Sequence, residues 1–275
     1  MRLFNLILCI FFGWLTSAQE LYVATEPASN MPAKSISIRL SNYFMWPYSN
    51  QRTGLNVGTM YRSMPEFMWG ISKKSMLHLS TFTSNMHQQQ FKFEGVGIYF
   101  KYRFITLDQN HRHFRMAAFG RASSIANTIQ YNDINLNGDN TGIGGGVVVT
   151  QLLHKLALSF TSGYVRAFNN INYDFAVGQP RSTVNYSLSG GYLFFPVKYK
   201  NNNQPSINYY LELLGKYNPV NKEQFVDISQ AIQVILNSRY RLDLAYRRQV
   251  AGNMIRISNN EFLLRFEYNL FNAYK

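Results

Sequence analysis

Apolar and polar side chains alternate along most of the chain after residue 18. In residues 182–195, for example, Tyr186 and Leu188 lie on one parity, while Asn185 and Ser187 lie on the other. A period of two residues is that of a β-strand with two different faces, whereas a helix built from such a segment would carry polar groups on every side. The same alternation recurs in residues 156–168, 240–249 and 261–270. The pattern therefore predicts an all-β protein.

The predicted strands are long. Strands of soluble proteins average about 5–6 residues, whereas a tilted strand needs about 9–11 residues to cross a bilayer. Most of the alternating segments reach the second length, which favours a single antiparallel transmembrane β-barrel over a secreted soluble β-protein. We predict twelve strands, with fourteen as the alternative, at residues 35–44, 54–72, 75–83, 91–104, 113–122, 141–152, 156–168, 182–195, 206–216, 225–236, 240–249 and 261–270.

Short and long connections largely alternate along the chain, as they do in outer-membrane barrels with tight periplasmic turns and long external loops. The connections at 106–112 and 196–205 are longer than such turns usually are. Pro65 cannot donate a ladder hydrogen bond, so a bulge or an extended external hairpin is expected within the strand at 54–72. Short breaks occur at 72–74, 153–155 and 237–239, and long polar breaks at 45–53, 123–139, 169–180, 217–224 and 250–260.

The first eighteen residues have the three parts of a secretory signal peptide: Arg2, an apolar run over residues 3–15, and small residues ending at Ala18. The apolar run is too short for a transmembrane helix, which needs about 20 residues; a buried N-terminal helix is the alternative. We expect cleavage after Ala18, which also removes Cys9. The predicted organisation is a signal peptide at 1–18, a short periplasmic segment at 19–34 that is too small for a plug domain, and a barrel at 35–275.

Composition agrees with an exported barrel. Aromatic residues make up 16% of the chain and charged residues only 15%, against about 25% charged residues in typical globular domains. After the signal peptide no run of 18 apolar residues occurs, so we expect no transmembrane helix. The formal net charge of +13 is scattered in ones and twos rather than gathered into a basic helix. We therefore expect no nucleic-acid partner, and assign the charge to loops facing lipopolysaccharide phosphates or to a positive lumen.

Several stretches of the chain resemble a family of small outer-membrane barrels from the Bacteroidetes lineage. The resemblance implies fold and location, and it carries no catalytic residues. The final strand, followed by Phe271 and Tyr274, looks like the C-terminal signal read by the outer-membrane insertion machinery. Expected partners are therefore this machinery, outer-membrane lipids and lipopolysaccharide, with the oligomeric state left open. The stretches are Leu21–Ile36, Pro65–Lys74, His113–Ser123, Thr150–Ser159 and Phe262–Ala273.

Candidate metal ligands are sparse. His111 and His113 would share a strand face, with Asp108 nearby, but no further carboxylate or cysteine completes a set. His87 follows Met86 in a methionine-rich half of the chain, which makes a copper site imaginable because thioethers are soft ligands. The alternative is that the methionines fill apolar surface and the histidines lie in turns. We expect neither a metal nor another cofactor.

Candidate catalytic groups are equally sparse. An outer-membrane lipid hydrolase needs a serine and a histidine within hydrogen-bond reach. His78 and Ser80 could share a strand face, yet at about 3.3 Å per residue they are separated by nearly 7 Å along the strand. The run Gly142–Gly146 precedes a strand signal rather than a helix, so close packing in a barrel wall is expected instead of a phosphate loop. We expect no enzymatic activity.

The polar parity of the predicted strands carries the most informative chemistry. If the apolar parity faces lipid, nine basic and five acidic side chains face the lumen. One interpretation is structural: a closed structural or ligand-binding barrel whose inner side chains are cross-linked by ion pairs. The functional interpretation, which we prefer, is a narrow passive channel for small solutes with a basic lumen and an anion preference; a lipid hydrolase comes third. The inward residues are Arg39, Lys101, Arg103, Arg115, Arg121, Glu212, Lys216, Asp227, Arg241, Asp243, Arg247, Glu261, Arg265 and Glu267.

Overall fold

The structure, a computed structural model, describes residues 22–47, 59–86, 90–110, 112–196 and 204–274. The predicted signal peptide, residues 54–58 of the second predicted strand, His87 and His111 lie outside these ranges. The described residues form twelve β-strands, which confirms the predicted number. The strands are β1 Ser35–Pro47, β2 Met60–Gly70, β3 Ser75–Ser84, β4 Lys92–Gln109, β5 Arg112–Ile125, β6 Gly142–Leu153, β7 Leu156–Ala167, β8 Ser182–Phe195, β9 Ser206–Tyr217, β10 Gln224–Leu236, β11 Tyr240–Gly252 and β12 Ser258–Leu270.

The strands form one closed antiparallel barrel in which each strand pairs with its neighbours in sequence. The barrel closes between β1 and β12, where Ile36 lies opposite Leu270 and Phe44 lies opposite Phe262. Closure gives each of the twelve described strands a partner on both sides, so none of them is an edge strand. A single antiparallel barrel is therefore confirmed.

The alternation of the sequence decides which side chains face outward. Leu188 is 54% exposed and Phe266 is 48% exposed, while their neighbours Ser189 and Arg265 are buried inside the barrel. Apolar side chains on the outside and polar side chains on the inside are the arrangement that a bilayer requires of a barrel. No α-helix suited to crossing a bilayer is found among the described residues.

The connections divide the barrel into a short-turn end, where β1 begins and β12 ends, and a long-loop end. At the short-turn end, Asn237 and Ser238 both have positive φ, at 51° and 54°, as a type I′ hairpin turn requires. The connection predicted at 106–112 is shorter than expected because β4 continues to Gln109 and β5 begins at Arg112. The ladder β4–β5 thus extends through residues that looked polar enough to be a loop.

Pro65 and a bulge near Glu94 are two local irregularities of the wall between β2 and β4. Pro65 lies in β2 opposite Leu40 with no register shift, and only the β2–β3 ladder is interrupted beside it. A proline in a strand thus costs one side of the ladder without the bulge predicted for β2. A bulge is present instead in the β3–β4 pair, where Phe82 lies opposite Gly95 and the next residue of β3 lies opposite Phe93. The extra residue of β4 is Glu94, which is fully buried.

Candidate functional site

The charged residues predicted to line the lumen lie on the inner face of the barrel. Register explains their common direction, because directly opposed residues of a ladder share a face, and Glu267 lies opposite both Arg39 and Arg241. Six of the fourteen members are half-buried: Arg103, Arg115, Arg121, Lys216, Arg247 and Glu261. The other eight are buried: Arg39, Lys101, Glu212, Asp227, Arg241, Asp243, Arg265 and Glu267.

A buried ion-pair network joins β1, β11 and β12. Arg39 Nε lies 2.8 Å from Glu267 Oε2, and Arg241 Nε lies 3.0 Å from both carboxylate oxygens of Asp243. Arg265 Nη1 lies 3.5 Å from Asp243 Oδ2. Fork-shaped contacts between a guanidinium and a carboxylate are geometrically specific and strong. These arginines therefore cross-link the strands of the wall, and the carboxylates beside them compensate their positive charge.

The expectation of a markedly basic lumen is not confirmed, because further carboxylates lie inside the barrel. Glu94 could not be placed by parity, since the bulge turns it inward. Glu66 shares the inward parity of Arg62 on β2, a signal that was present in the sequence. The others come from segments outside the strands. The added acidic residues are Glu26, Glu66, Glu94, Asp133 and Asp139.

The N-terminal segment, residues 22–34, runs inside the barrel, so its predicted place in the periplasm was wrong. Glu212 of β9 holds it: Oε1 accepts hydrogen bonds from the backbone N–H groups of Val23 at 3.0 Å and Ala24 at 2.7 Å. Oε2 accepts a hydrogen bond from the Thr25 hydroxyl at 2.7 Å. A segment that is too short to form a folded plug domain can therefore still occupy a narrow lumen as a single extended chain.

Two of the predicted selectivity residues also hold the N-terminal segment. Arg241 Nη2 donates a hydrogen bond of 2.9 Å to the carbonyl oxygen of Tyr22, and Arg115 Nη1 donates one of 2.7 Å to the Ser29 hydroxyl. The Tyr22 ring packs edge-to-face on Tyr210, with centroids 5.6 Å apart. These contacts bury the segment against the short-turn half of the wall.

A second segment enters the lumen from the long-loop end. This inward loop, residues 126–141 between β5 and β6, is held by its acidic residues. Asp133 Oδ1 lies 2.6 Å from Lys216 Nζ, and Asp133 Oδ2 lies 3.4 Å from Arg256 Nε. Asp139 forms an ion pair with the buried guanidinium of Arg62. The loop is therefore tied to both sides of the barrel wall by side-chain charges.

The Asp133 carboxyl is kept in its ionised form by the cations around it. Burial alone would raise its pKa, but Lys216 and Arg256 favour the ionised form and hold the pKa at about 2, below the usual 3.8. Arg256 also lies 3.6 Å from the centre of the Phe225 ring. The carboxylate thus stays charged, and the loop stays tied, throughout the neutral pH range.

Between the N-terminal segment and the inward loop lies a cavity of about 330 Å³, here called the chamber. All twelve strands contribute to its wall, and Glu26 and Asn137 lie at its two closures. Small-molecule sites commonly begin at about 300 Å³. The chamber is therefore large enough for a small solute, although not for a folded domain.

The wall of the chamber is asymmetric. The inward residues of β6, β7 and β8 include Gly146, Thr161, Gly163 and Ser187, and no ionisable side chain faces inward on these strands within the described residues. A Cβ atom at Gly146 would lie 2.9 Å from Cζ of Phe119. This confirms that the glycine run of β6 serves close packing in the wall. The charged half of the lumen consequently faces a half made of small, neutral side chains.

His78 and Ser80, the candidate residues of a lipid hydrolase, do not form a serine–histidine pair at the outer surface of the barrel. His78 is buried on the inner face, with Nδ1 3.9 Å from Glu66 Oε1, and Ser80 donates its hydrogen bond to the same carboxylate at 3.2 Å. A pair enclosed in this way does not face the lipid that a membrane hydrolase would attack.

The described residues do not bring together a set of metal ligands. His113 Nδ1 lies 2.7 Å from Asp108 Oδ1, and no group of three histidine, cysteine or acidic residues with metal-binding geometry occurs in the described part of the chain. Met45, Met60 and Met86 pack together as a buried cluster. These methionines fill apolar space inside the barrel rather than its lipid-facing surface.

Neither a protein-family model nor a curated protein matches the sequence. Solved structures match its fold. An outer-membrane channel from Pseudomonas putida F1 is similar with a TM-score of 0.56 and 10% identity, over 90% of this chain and 100% of that chain. The KdgM porin has a TM-score of 0.48 and 9% identity, over 84% of this chain and 98% of that chain. Outer membrane phospholipase A from Escherichia coli has a TM-score of 0.41 and 9% identity, over 94% and 96%. At these identities the likeness is one of fold, and the barrel shares its fold with the Pseudomonas putida F1 channel.

Proposed function

We propose that the protein is a narrow passive channel for small solutes in the outer membrane of a Gram-negative bacterium. The observation that carries the proposal is the chamber, a cavity lined by all twelve strands and closed, among the described residues, by two non-covalently held segments. A channel needs a polar path inside an apolar exterior, and this barrel has both. Solute passage then requires the N-terminal segment and the inward loop to move aside.

The location is part of the proposal. It is supported by the apolar outer face and by the fold shared with the outer-membrane channel of Pseudomonas putida F1. Export through a signal peptide cleaved after Ala18, insertion by the outer-membrane machinery, and contact with lipids and lipopolysaccharide follow from this location. Membership of the Bacteroidetes family of small barrels belongs to the same proposal.

A closed ligand-binding barrel is the second candidate, favoured by the tight hold on the N-terminal segment. Glu212 alone accepts hydrogen bonds from three groups of this segment. Hydrogen bonds to charged groups each contribute about 1.5–3 kcal/mol, so the segment could keep the lumen shut permanently. In that case the chamber would bind a solute without passing it on.

Single-channel recording separates the two candidates. The chain without residues 1–18 is refolded and inserted into a planar bilayer, and ion preference is read from a salt gradient. Discrete conductance steps are expected for the channel. A barrel that is correctly folded, as judged by heat-modifiable migration on a gel, but silent at all voltages would contradict the channel and leave the closed barrel.

A further inference from the structure

Arg121 of β5 differs from the other arginines that line the chamber. Arg39, Arg62, Arg247, Arg256 and Arg265 each form an ion pair with a carboxylate. For Arg121 no ion pair is found within the described residues. Its guanidinium donates one hydrogen bond, from Nη2 to Asn137 Oδ1 at 2.8 Å. Since a guanidinium carries five N–H donors, most of its capacity to bind an anion is unused.

Aromatic rings form a flat surface beside Arg121. The Tyr99 and Phe119 rings are stacked, with centroids 5.7 Å apart and planes inclined by 29°. The Arg121 guanidinium carbon lies 6.0 Å from the centre of the Tyr99 ring. Both rings line the chamber and are only half-buried. Their accessible faces could pack against a flat or apolar part of a solute.

His78 lies beside the same aromatic surface, and one of its two ring nitrogens has no hydrogen-bond partner. His78 is 2% exposed, and its Nε2 atom is buried with no hydrogen bond. Its ring centroid lies 5.1 Å from that of Tyr99. A buried polar atom without a partner is costly, so the His78 ring beside Tyr99 keeps one unused hydrogen-bonding atom.

The strands on the other side of Arg121 do not compete for its charge. Arg121 lies opposite Gly144 of β6, which in turn lies opposite Val165 of β7. The stem of Arg121 packs on Gly144, where a Cβ atom would lie 3.5 Å from its Cγ. The neutral half of the wall therefore leaves the guanidinium accessible from the chamber.

We propose that the chamber contains a binding site for a small organic anion. The Arg121 guanidinium binds the carboxylate of the solute, and the Tyr99 and Phe119 rings pack against its flat body. A carboxylate suits this position because a guanidinium presents paired donors to both of its oxygens. Transport of the bound anion depends on the proposed channel function. Binding itself does not, because a solute can bind at equilibrium in a barrel that does not conduct.

The test compares benzoate with its neutral isostere benzamide. Both are titrated into the refolded chain without residues 1–18 in detergent micelles, and binding is followed by ligand-observed NMR with protein-free micelles as blank. Benzoate is expected to bind at least about tenfold more tightly than benzamide, since the charge-assisted hydrogen bonds are lost with the neutral ligand. Equal binding of both, or binding of neither, would overturn the site.

Three variants locate the contact. Arg121→Gln is expected to reduce benzoate affinity to that of benzamide, and Arg121→Lys is expected to be intermediate because it keeps the charge without the paired donors. Asn137→Ala removes the loop contact of Arg121 but keeps the guanidinium, so it should bind benzoate as well as the unchanged chain. Arg166→Gln, on the exposed outer face of β7, is the matched control.

The outcomes separate this site from the channel. Retained benzoate affinity in Arg121→Gln would overturn the assignment. An equal loss in Asn137→Ala would assign the effect to the position of the loop and would also overturn it. The wild-type comparison of benzoate with benzamide decides the question even if Arg121→Gln does not fold. A silent barrel that binds benzoate through Arg121 would contradict the channel alone.

Discussion

Two segments close the lumen, and they are held by different combinations of hydrogen bonds and ion pairs. At the short-turn end, Glu212 binds the N-terminal segment chiefly through backbone N–H groups, as with Val23 and Ala24. At the long-loop end, Asp133 binds the inward loop to the side chains of Lys216 and Arg256. Glu26 of the N-terminal segment also forms ion pairs, with Arg39 at 3.1 Å and with Lys101 at 3.5 Å. Ion pairs respond to both pH and salt, but the N-terminal segment has in addition two backbone N–H groups bound to one buried carboxylate. We therefore expect pH and salt to release the inward loop more readily than the N-terminal segment.

Removal of the N-terminal segment is expected to have the largest effect on the channel. Deletion of residues 22–31 takes away the chain that fills the short-turn half of the lumen. Because a twelve-stranded barrel is intermediate between filled eight-stranded and open sixteen-stranded barrels, we expect conductance to rise at least about twofold. Single-channel recording measures the change.

A milder variant shows whether the anchor or the bulk of the segment matters. Glu212→Gln keeps the length of the chain but weakens the bonds to Val23, Ala24 and Thr25. We expect briefer closed periods with the same maximal current as the deletion. If the deletion leaves conductance unchanged, the N-terminal segment does not obstruct the path, and the comparison between the two closures fails.

Loss of the Asp133 carboxylate should release the other closure. Asp133→Asn leaves Lys216 and Arg256 without this partner, and breaking a buried pair typically costs about 3–5 kcal/mol; Asp227 still binds Arg256, so we expect the lower end. Faster protease cleavage within residues 126–141 and more frequent channel opening are the readouts. Asp174→Asn, in the exposed β7–β8 loop, is the matched control and should change neither.

Low pH should release the inward loop in the same way as Asp133→Asn. The pKa of Asp133 is lowered from 3.8 to about 2, so its stabilising contribution is complete above about pH 4 and is lost as the pH falls toward 2. Channel opening is expected to increase over this interval in the unchanged chain. The increase should be absent in Asp133→Asn. A pH response of equal size in that variant would assign it to a different carboxyl group.

The smallest expected effect concerns ion preference, where two arginines of the predicted set should differ. Arg247 lines the chamber and its side chain is 23% exposed, whereas that of Arg241 is 4% exposed and paired with Asp243. Arg247→Gln should shift the reversal potential modestly toward cations. Arg241→Gln should instead lower stability without such a shift. A shift of similar size in both would show that the buried network also faces the ion path.

Sequence reasoning predicted the wall better than the contents of the lumen. The strand number and the inward direction of Arg39 and Glu267 followed from a two-residue period, which is a local property of the backbone. Glu94 could not be placed because a bulge depends on the pairing of two strands rather than on either alone. The N-terminal segment was misplaced because its partner Glu212 is far away in sequence.

Alternation over twelve segments was enough to predict the strands and to sort apolar and charged side chains onto opposite faces of the wall, since a pleated strand places successive side chains on opposite sides. The tertiary structure alone decided what occupies the interior. Whether Arg241 binds an acidic neighbour, a backbone carbonyl or a solute depends on which groups the closed barrel brings within about 3 Å of it. Arg121, like Arg241, is an arginine on the inward parity of its strand. Only the three-dimensional arrangement leaves its guanidinium accessible in the chamber.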